Sequence, residues 1–223
     1  MSNLASTLHA QGEVQRARKL QEEVLPIQRR VLGPEHPNTL ASMNNLAETL
    51  RALGDLAGAR KLQEEALAIR RRAQGPEHPD TLPPMINLAG TLEQQGDLAG
   101  ARKLQEETLA VSRRVLGPEH QNTLILMNNL GLTLQKQGDS AGARKLQEEV
   151  LPIQRLVLGP EHPDTSNSAW CLFRTLQDLR DHEAALTVLK RDLVWLLDRD
   201  PAALGADQRK IREYVAQQVK KDG

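Results

Sequence analysis

A 42-residue internal repeat is the feature of this sequence that most restricts its fold. The string GPEH occurs four times at this interval, beginning at Gly33, Gly75, Gly117 and Gly159. A second marker, a glycine followed by an acidic residue, keeps the same interval at Gly12, Gly54, Gly96 and Gly138. Because a repeat of this length is one supersecondary unit, we expect a row of similar units that cover one another's apolar faces.

Each period reads as two helices joined by a tight turn. Aromatic residues make up only 2% of the chain, and the abundant Leu, Ala, Gln, Glu and Arg are strong helix formers. Apolar residues recur three or four positions apart on both sides of Gly54, which fits two helical stripes. Gly54 can adopt the positive φ of a reversal, and Asp55 can cap the second helix. The fold class predicted is all-α, a solenoid of stacked antiparallel helix hairpins.

The repeat markers divide the chain. We predict a hairpin array over residues 1–203, with hairpins at 1–37, 38–79, 80–121, 122–163 and 164–203. The fifth hairpin has Arg180 where the other copies have glycine. Pro83 and Pro84 predict a kink or a late start for the first helix of the third hairpin. Residues 204–223 have apolar residues on one side only, so we predict a C-terminal capping helix there.

Composition excludes several classes of function. The chain has 29 basic and 29 acidic residues, so it lacks the basic surface of a nucleic-acid-binding protein. Cys171 is the only cysteine, which rules out an intrachain disulfide and a cysteine-based zinc site. We find no signal peptide and no apolar run of about 20 residues. We therefore expect a cytoplasmic protein that does not bind membranes.

The repeated strings resemble a known family. The patterns NLAxTLxxxGDxAGARKLQEExL and LGPEHPxTL are similar to the long tetratricopeptide repeat of kinesin light chains, over about residues 1–165. The resemblance implies a right-handed superhelix whose first helices line a concave groove for extended peptides. Glutamine stands where the family often has an aromatic residue, at Gln21, Gln63, Gln105 and Gln147. The basic groove residues that kinesin light chains use for acidic cargo are not evident here.

A series of four Glu-His pairs, called the Glu-His ladder, is the strongest candidate for a catalytic site. The pairs lie in successive links, at Glu35-His36, Glu77-His78, Glu119-His120 and Glu161-His162. Helices packed about 8–10 Å apart keep the imidazoles too distant to share a metal ion. We therefore expect these residues to fix the links. No phosphate-binding, dinucleotide-binding, zinc-protease or serine-hydrolase motif occurs, so we predict no enzyme activity, cofactor or metal.

An asparagine series on the first helices is the best candidate for function. Asparagine is a mediocre residue inside helices, so its regular return needs a reason. In the geometry that the resemblance implies, these amides face the groove and can bond a peptide backbone. The alternative is bonding between neighbouring helices, and both can hold. Trp170 and Arg174 could form a binding hot spot, although packing is the favoured role for Trp170. The predicted groove residues are Asn44, Asn45, Glu48, Asn87, Asn128, Asn129, Trp170 and Arg174.

The leading hypothesis is therefore a protein-protein interaction scaffold that holds a peptide or protein partner in its concave groove. A second hypothesis is a structural array that self-associates through its end repeats. An enzyme that uses the Glu-His ladder is the least favoured. No nucleic acid or membrane partner is expected.

Overall fold

The computed structural model describes residues 12–219, and this range contains helices and no β-strand. Ten α-helices lie in it. They are α1 (Val14–Val31), α2 (Pro37–Ala52), α3 (Leu56–Gln74), α4 (Leu82–Gln94), α5 (Leu98–Val115), α6 (Gln121–Lys136), α7 (Ser140–Val157), α8 (Pro163–Asp178), α9 (His182–Val188) and α10 (Ala206–Val219). The predicted first helix of the opening hairpin, with Asn3, lies outside the described residues.

The chain forms two compact units, residues 1–115 and residues 116–223. In the first unit each helix packs against the next one along the chain, from α1 to α5. In the second unit α6 packs on α7, α7 on α8, and α8 on α9, while α10 packs on α8. The prediction of an all-α chain built from stacked helical pairs is thus confirmed within each unit. The division into five hairpins and a capping helix stays a prediction.

The reversal between the two helices of a pair depends on three residues of the GDxAG string. Gly54 has a φ of 81°, in the left-handed region that favours glycine. The Asp55 carboxylate accepts a hydrogen bond of 2.9 Å from the backbone N–H of Gly58. A Cβ atom at Gly58 would lie 2.8 Å from that carboxylate. The second glycine of the string therefore leaves room for the cap, a role that sequence patterns did not reveal.

The fifth pair keeps this reversal with other residues. Arg180 adopts a φ of 58°, the only positive φ of a non-glycine residue among those described. Asp181 still caps the following helix, but Ala184 replaces the second glycine and the hydrogen bond from its N–H is 3.2 Å long. The longer bond agrees with a Cβ atom crowding the carboxylate.

Arginine-carboxylate pairs about one period apart connect neighbouring helical pairs inside each unit. In the first unit Arg29 donates to Glu65 at 2.8 Å, and Arg72 donates to Glu35 at 2.6 Å. In the second unit Arg155 donates to Asp192 at 2.7 Å, and the Asp192 side chain is only 4% exposed. Most of these pairs face solvent and contribute little each, whereas the Arg155–Asp192 pair is largely buried.

The second helix of the fifth pair is irregular. After α9 (His182–Val188) the chain makes a π-helical turn at Leu189–Leu193 and a 3₁₀ turn at Val194–Asp198. In a π-helical turn the backbone hydrogen bond joins residues five positions apart, instead of the four of an α-helix. It lies where Asp192, beside Arg191, turns inward to meet Arg155.

Two further expectations can be compared with the structure. A 3₁₀ turn at Pro79–Thr81 precedes α4, whereas α2, α6 and α8 begin directly after the link histidine. The late start predicted from Pro83 and Pro84 is confirmed. The capping helix was predicted within residues 204–223, and α10 is Ala206–Val219 with Ile211 and Val215 buried. No described helix is long and apolar enough to cross a membrane.

Candidate functional site

The link histidines act as helix caps, which assigns the Glu-His ladder a structural role. His36 Nδ1 accepts a hydrogen bond of 3.1 Å from the Asn38 backbone N–H at the start of α2. The other three link histidines bond the residue two positions on in the same way, at 3.1 to 3.2 Å. Thr39 fixes the link from the other side, because its hydroxyl donates to the Gly33 carbonyl at 2.9 Å.

These contacts use one of the two ring nitrogens, Nδ1, of each link histidine. No group of three or more His, Cys, Asp or Glu side chains in residues 12–219 could hold a metal ion. The expectation that the ladder fixes the links is confirmed.

The first unit contains four of the predicted groove residues. Asn44, Asn45 and Glu48 lie on α2, and Asn87 lies on α4. Asn45 is exposed, while Asn44, Glu48 and Asn87 are half-buried. Glu48 accepts a hydrogen bond of 2.6 Å from Arg51, so its carboxylate already has a cationic partner. A groove role for these residues stays a prediction.

The second unit brings its four predicted residues to one concave surface. A cavity of about 330 Å³ contains Asn128 and Asn129 of α6 with Trp170 of α8 in its lining. A second cavity, of about 310 Å³, includes Trp170 and Arg174. The two cavities share Leu132, Trp170 and Cys171 and therefore adjoin each other. We call them together the trough. Its lining residues are Ile125, Asn128, Asn129, Leu132, Gln135, Lys136, Asp164, Asn167, Ser168, Trp170, Cys171, Arg174 and Asp207.

Trp170 packs and also lines the trough. Its ring stacks on Phe173 with centroids 5.4 Å apart and meets Tyr214 of α10 edge-on at 4.9 Å. The Arg174 guanidinium lies 5.8 Å from the Trp170 ring centroid, within the range of a cation–π contact. The favoured packing role is confirmed, and the remaining face of the half-buried ring is part of the cavity wall.

Asn128 shows that the two explanations for the asparagine series coexist. Its Nδ2 donates to the Ser168 hydroxyl at 2.7 Å, which links α6 to α8. Its Oδ1 is buried and has no hydrogen-bond partner among the described residues. Asn129, one position on, is half-buried in the same lining. One amide of the series thus stabilises the fold and the next lines the concavity.

Sequence reasoning missed several trough residues. Asn167 and Cys171 follow Ile125 and Asn129 by one period of 42 residues, so the repeat register could have identified them. Asp207 belongs to α10, outside the repeat, and nothing in its sequence context indicated this position. Burial raises the pKa of the Cys171 thiol to about 11, so the wall of the trough is uncharged there at neutral pH.

Comparison with known proteins agrees with this geometry. The tetratricopeptide repeat model matches residues 1–72, 43–109, 84–155 and 126–191. A Podosopora anserina structure, described as a putative kinesin light chain with nearly identical TPR-like repeats, is 32% identical. It has a TM-score of 0.77 over 85% of this chain and 90% of that one. The structure of a point variant of that protein is 30% identical, with a TM-score of 0.80 over 88% and 93%.

A more distant structure has the same fold. BtubC (BKLC) from P. vanneervenii is 22% identical, with a TM-score of 0.74 over 85% of this chain and 75% of that one. The search of curated proteins gave no match. The family match covers most of the chain, and the structural likeness extends over the helical pairs of both units. This chain belongs to the tetratricopeptide repeat family, with repeats of the kinesin light chain type.

Proposed function

We propose that this chain is an interaction scaffold and that the trough binds an extended peptide segment of a partner protein. The observation that carries the proposal is the pair of adjoining cavities on α6, α8 and α10. Its wall combines an aromatic ring with the exposed side chains of Ile125 and Leu132, which are 38% and 37% exposed. Apolar walls with a few convergent polar groups are typical of ligand sites.

The polar groups of the trough suit a peptide backbone. Asn129 and Asn167 both line the concavity, and an amide side chain can donate to a carbonyl and accept from an N–H. Trp170 is already held by Phe173 and Tyr214, so little side-chain freedom is lost on binding. The proposal assigns no catalytic role or cofactor. The free, half-buried Cys171 thiol supports a reducing cytoplasmic location.

A random peptide library displayed on phage tests the proposal. Peptides selected on the immobilised full chain are measured against two variants with the same substitution, Leu132→Asp in the trough and Leu156→Asp on α7. Leu156 is 82% exposed and outside the trough. We expect Leu132→Asp to weaken binding by about tenfold or more, because burying a carboxylate against an apolar ligand is costly, and Leu156→Asp to have no effect. Equal binding by both variants would place the site elsewhere.

The first-unit asparagines are tested separately. If they bind peptide backbone, the Asn45→Ala, Asn87→Ala double variant loses two hydrogen bonds of about 0.5–1.5 kcal/mol each. The expected weakening is about fivefold or more. Circular dichroism and the melting temperature serve as folding controls. Unchanged affinity in a folded double variant would limit the site to the second unit.

Self-association is the second candidate, and exposed apolar residues on α1 favour it. Ile27 is 51% exposed and Val31 is 68% exposed. Size-exclusion chromatography over a range of dilutions tests it, with Val31→Glu as the variant. A concentration-dependent elution volume that Val31→Glu abolishes would support association through this helix. A monomer at all concentrations would exclude it.

A further inference from the structure

The two ends of the trough carry opposite charge. In the first cavity the charged lining residues are Asp164, in the first turn of α8, and Asp207, in the first turn of α10. In the second cavity the charged lining residues are Lys136, at the end of α6, and Arg174, toward the end of α8. The trough is therefore acidic at one end and basic at the other.

The charges of Asp164, Asp207 and Arg174 are not neutralised by strong ion pairs, although the Arg174 guanidinium also contacts the Trp170 ring. Lys210 lies 3.6 Å from Asp207, but the two side chains are 78% and 68% exposed, so the pair is weak and screened by solvent. His162 lies 3.8 Å from Asp164, but its Nδ1 accepts the Asp164 backbone N–H. At the basic end, the acidic neighbour on α8 accepts a hydrogen bond of 2.8 Å from a glutamine of α6 rather than from Arg174.

An uncharged stretch separates the two ends. Leu132, Trp170 and Cys171 are common to both cavities. The half-buried Trp170 ring presents an apolar surface at this point, with Leu132 of α6 beside it in the same wall. A ligand that spans the trough must place an uncharged, apolar group here, because an unpaired charge would lose its hydration.

The distance between the ends sets the spacing of the ligand. Asp164 and Arg174 lie ten positions apart on α8, which separates their Cα atoms by about 15 Å at 1.5 Å per residue. An extended peptide covers this distance in about four to five residues at 3.3 Å each. We infer that the trough selects extended peptide segments in which a basic and an acidic residue, about four positions apart, flank an apolar residue. This inference rests on the proposed function and specifies its ligand.

The phage selection described above also tests the inference, because the recovered sequences report the preferred charges. Peptides selected on the full chain should be enriched in a basic and an acidic residue three to five positions apart with an apolar residue between them. Selection on an Asp164→Asn, Asp207→Asn variant should lose the basic residue. Selection on Arg174→Gln should lose the acidic one.

Direct affinities give a second measurement. For a synthetic peptide with the enriched pattern, each neutralisation should weaken binding by about two- to fivefold, the range for exposed ion pairs. Glu183→Gln on α9 and Lys145→Gln on α7 are matched controls, since both residues are exposed and lie outside the trough. The Asp→Asn and Glu→Gln replacements keep side-chain size, whereas Arg174→Gln and Lys145→Gln shorten the side chain, and Arg174→Gln also removes the cation–π contact with Trp170. Circular dichroism checks folding.

The outcomes separate the two proposals. Selected peptides that lose affinity on Leu132→Asp but show no charge pattern would overturn the inference and leave the proposed function standing. Failure to recover any peptide that depends on the trough would overturn both. Equal affinity of the patterned peptide for the neutralised variants and the full chain would also overturn the inference.

Discussion

Replacing Gln147 by methionine should stabilise the protein. Gln147 is 1% exposed, and neither atom of its amide has a hydrogen-bond partner among the described residues. The side chain lies against Gly131, where an added Cβ would be 3.5 Å from the glutamine Cγ and Nε2 atoms. An unpaired buried polar group costs about 1–3 kcal/mol. Methionine has a similar length and no amide, so we expect Gln147→Met to gain about 1–2 kcal/mol.

The residue one period earlier provides the control. Gln105 is also buried, but its Nε2 donates to Glu93 at 2.7 Å. A hydrogen bond to a charged group contributes about 1.5–3 kcal/mol, so Gln105→Met should be neutral or destabilising. Gln63 resembles Gln147 in having both amide atoms unpaired among the described residues, and Gln63→Met should also be stabilising.

Equilibrium urea unfolding followed by circular dichroism measures these differences. A higher unfolding midpoint for Gln147→Met and a lower or unchanged one for Gln105→Met is the expected pattern. The slope of the transition must be compared as well, because repeat proteins can unfold in more than one step. The reasoning is refuted if Gln147→Met folds and its free energy of unfolding is lower than that of the parent by about 1 kcal/mol or more. This is the lower limit of the cost expected for an unpaired buried polar group.

Three other perturbations have defined expectations. Asp192→Ala should lower the free energy of unfolding by about 3 kcal/mol, because it leaves Arg155 without its buried partner. Glu35→Ala, which removes an exposed ion pair, should lower it by less than about 1 kcal/mol. Urea unfolding measures both differences. His120→Ala should cost about 1 kcal/mol through loss of the cap, and His120→Asn should restore most of it, as thermal melts can show. Cys171 should react slowly with a maleimide at pH 8, because its raised pKa of about 11 keeps the thiol neutral. Since the folded protein holds this proton more tightly than the unfolded chain, stability should fall as pH rises from about 9 to 11, and Cys171→Ser should reduce that fall.

Local features of the fold were predictable from the sequence, because the residues that create them are neighbours in the chain. Gly54 and Asp55 end one helix and begin the next through contacts with residues close to them in the chain. The link histidines likewise cap helices through contacts with residues two positions away. The 42-residue interval then identified both helices in each of the three periods between residues 38 and 163. Repetition made each local signal visible several times.

Features that depend on contacts between distant residues were not predictable. The carboxylate that meets Arg155 stands at Asp192, and the position equivalent to Glu65 is occupied by Arg191. Only the π-helical turn explains how Asp192 turns inward. The acidic end of the trough likewise requires α10 to pack against α8, and no periodic pattern places Asp207 beside Asp164. In the candidate site, register identified the asparagines, Trp170 and Arg174 but not their charged neighbours.

The spacing of the stabilising contacts has a consequence for chain length. The caps and link bonds described above join residues at most six positions apart, and the arginine-carboxylate pairs between helical pairs join residues 36 to 38 positions apart. Duplication or deletion of a block of 42 residues would therefore keep the residues of each remaining contact at the same sequence separation. An insertion of any other length inside a period would separate them. Because none of these contacts joins residues more than about one period apart, a longer array would keep the same mean sequence separation between partners, and its folding need not slow as repeats are added.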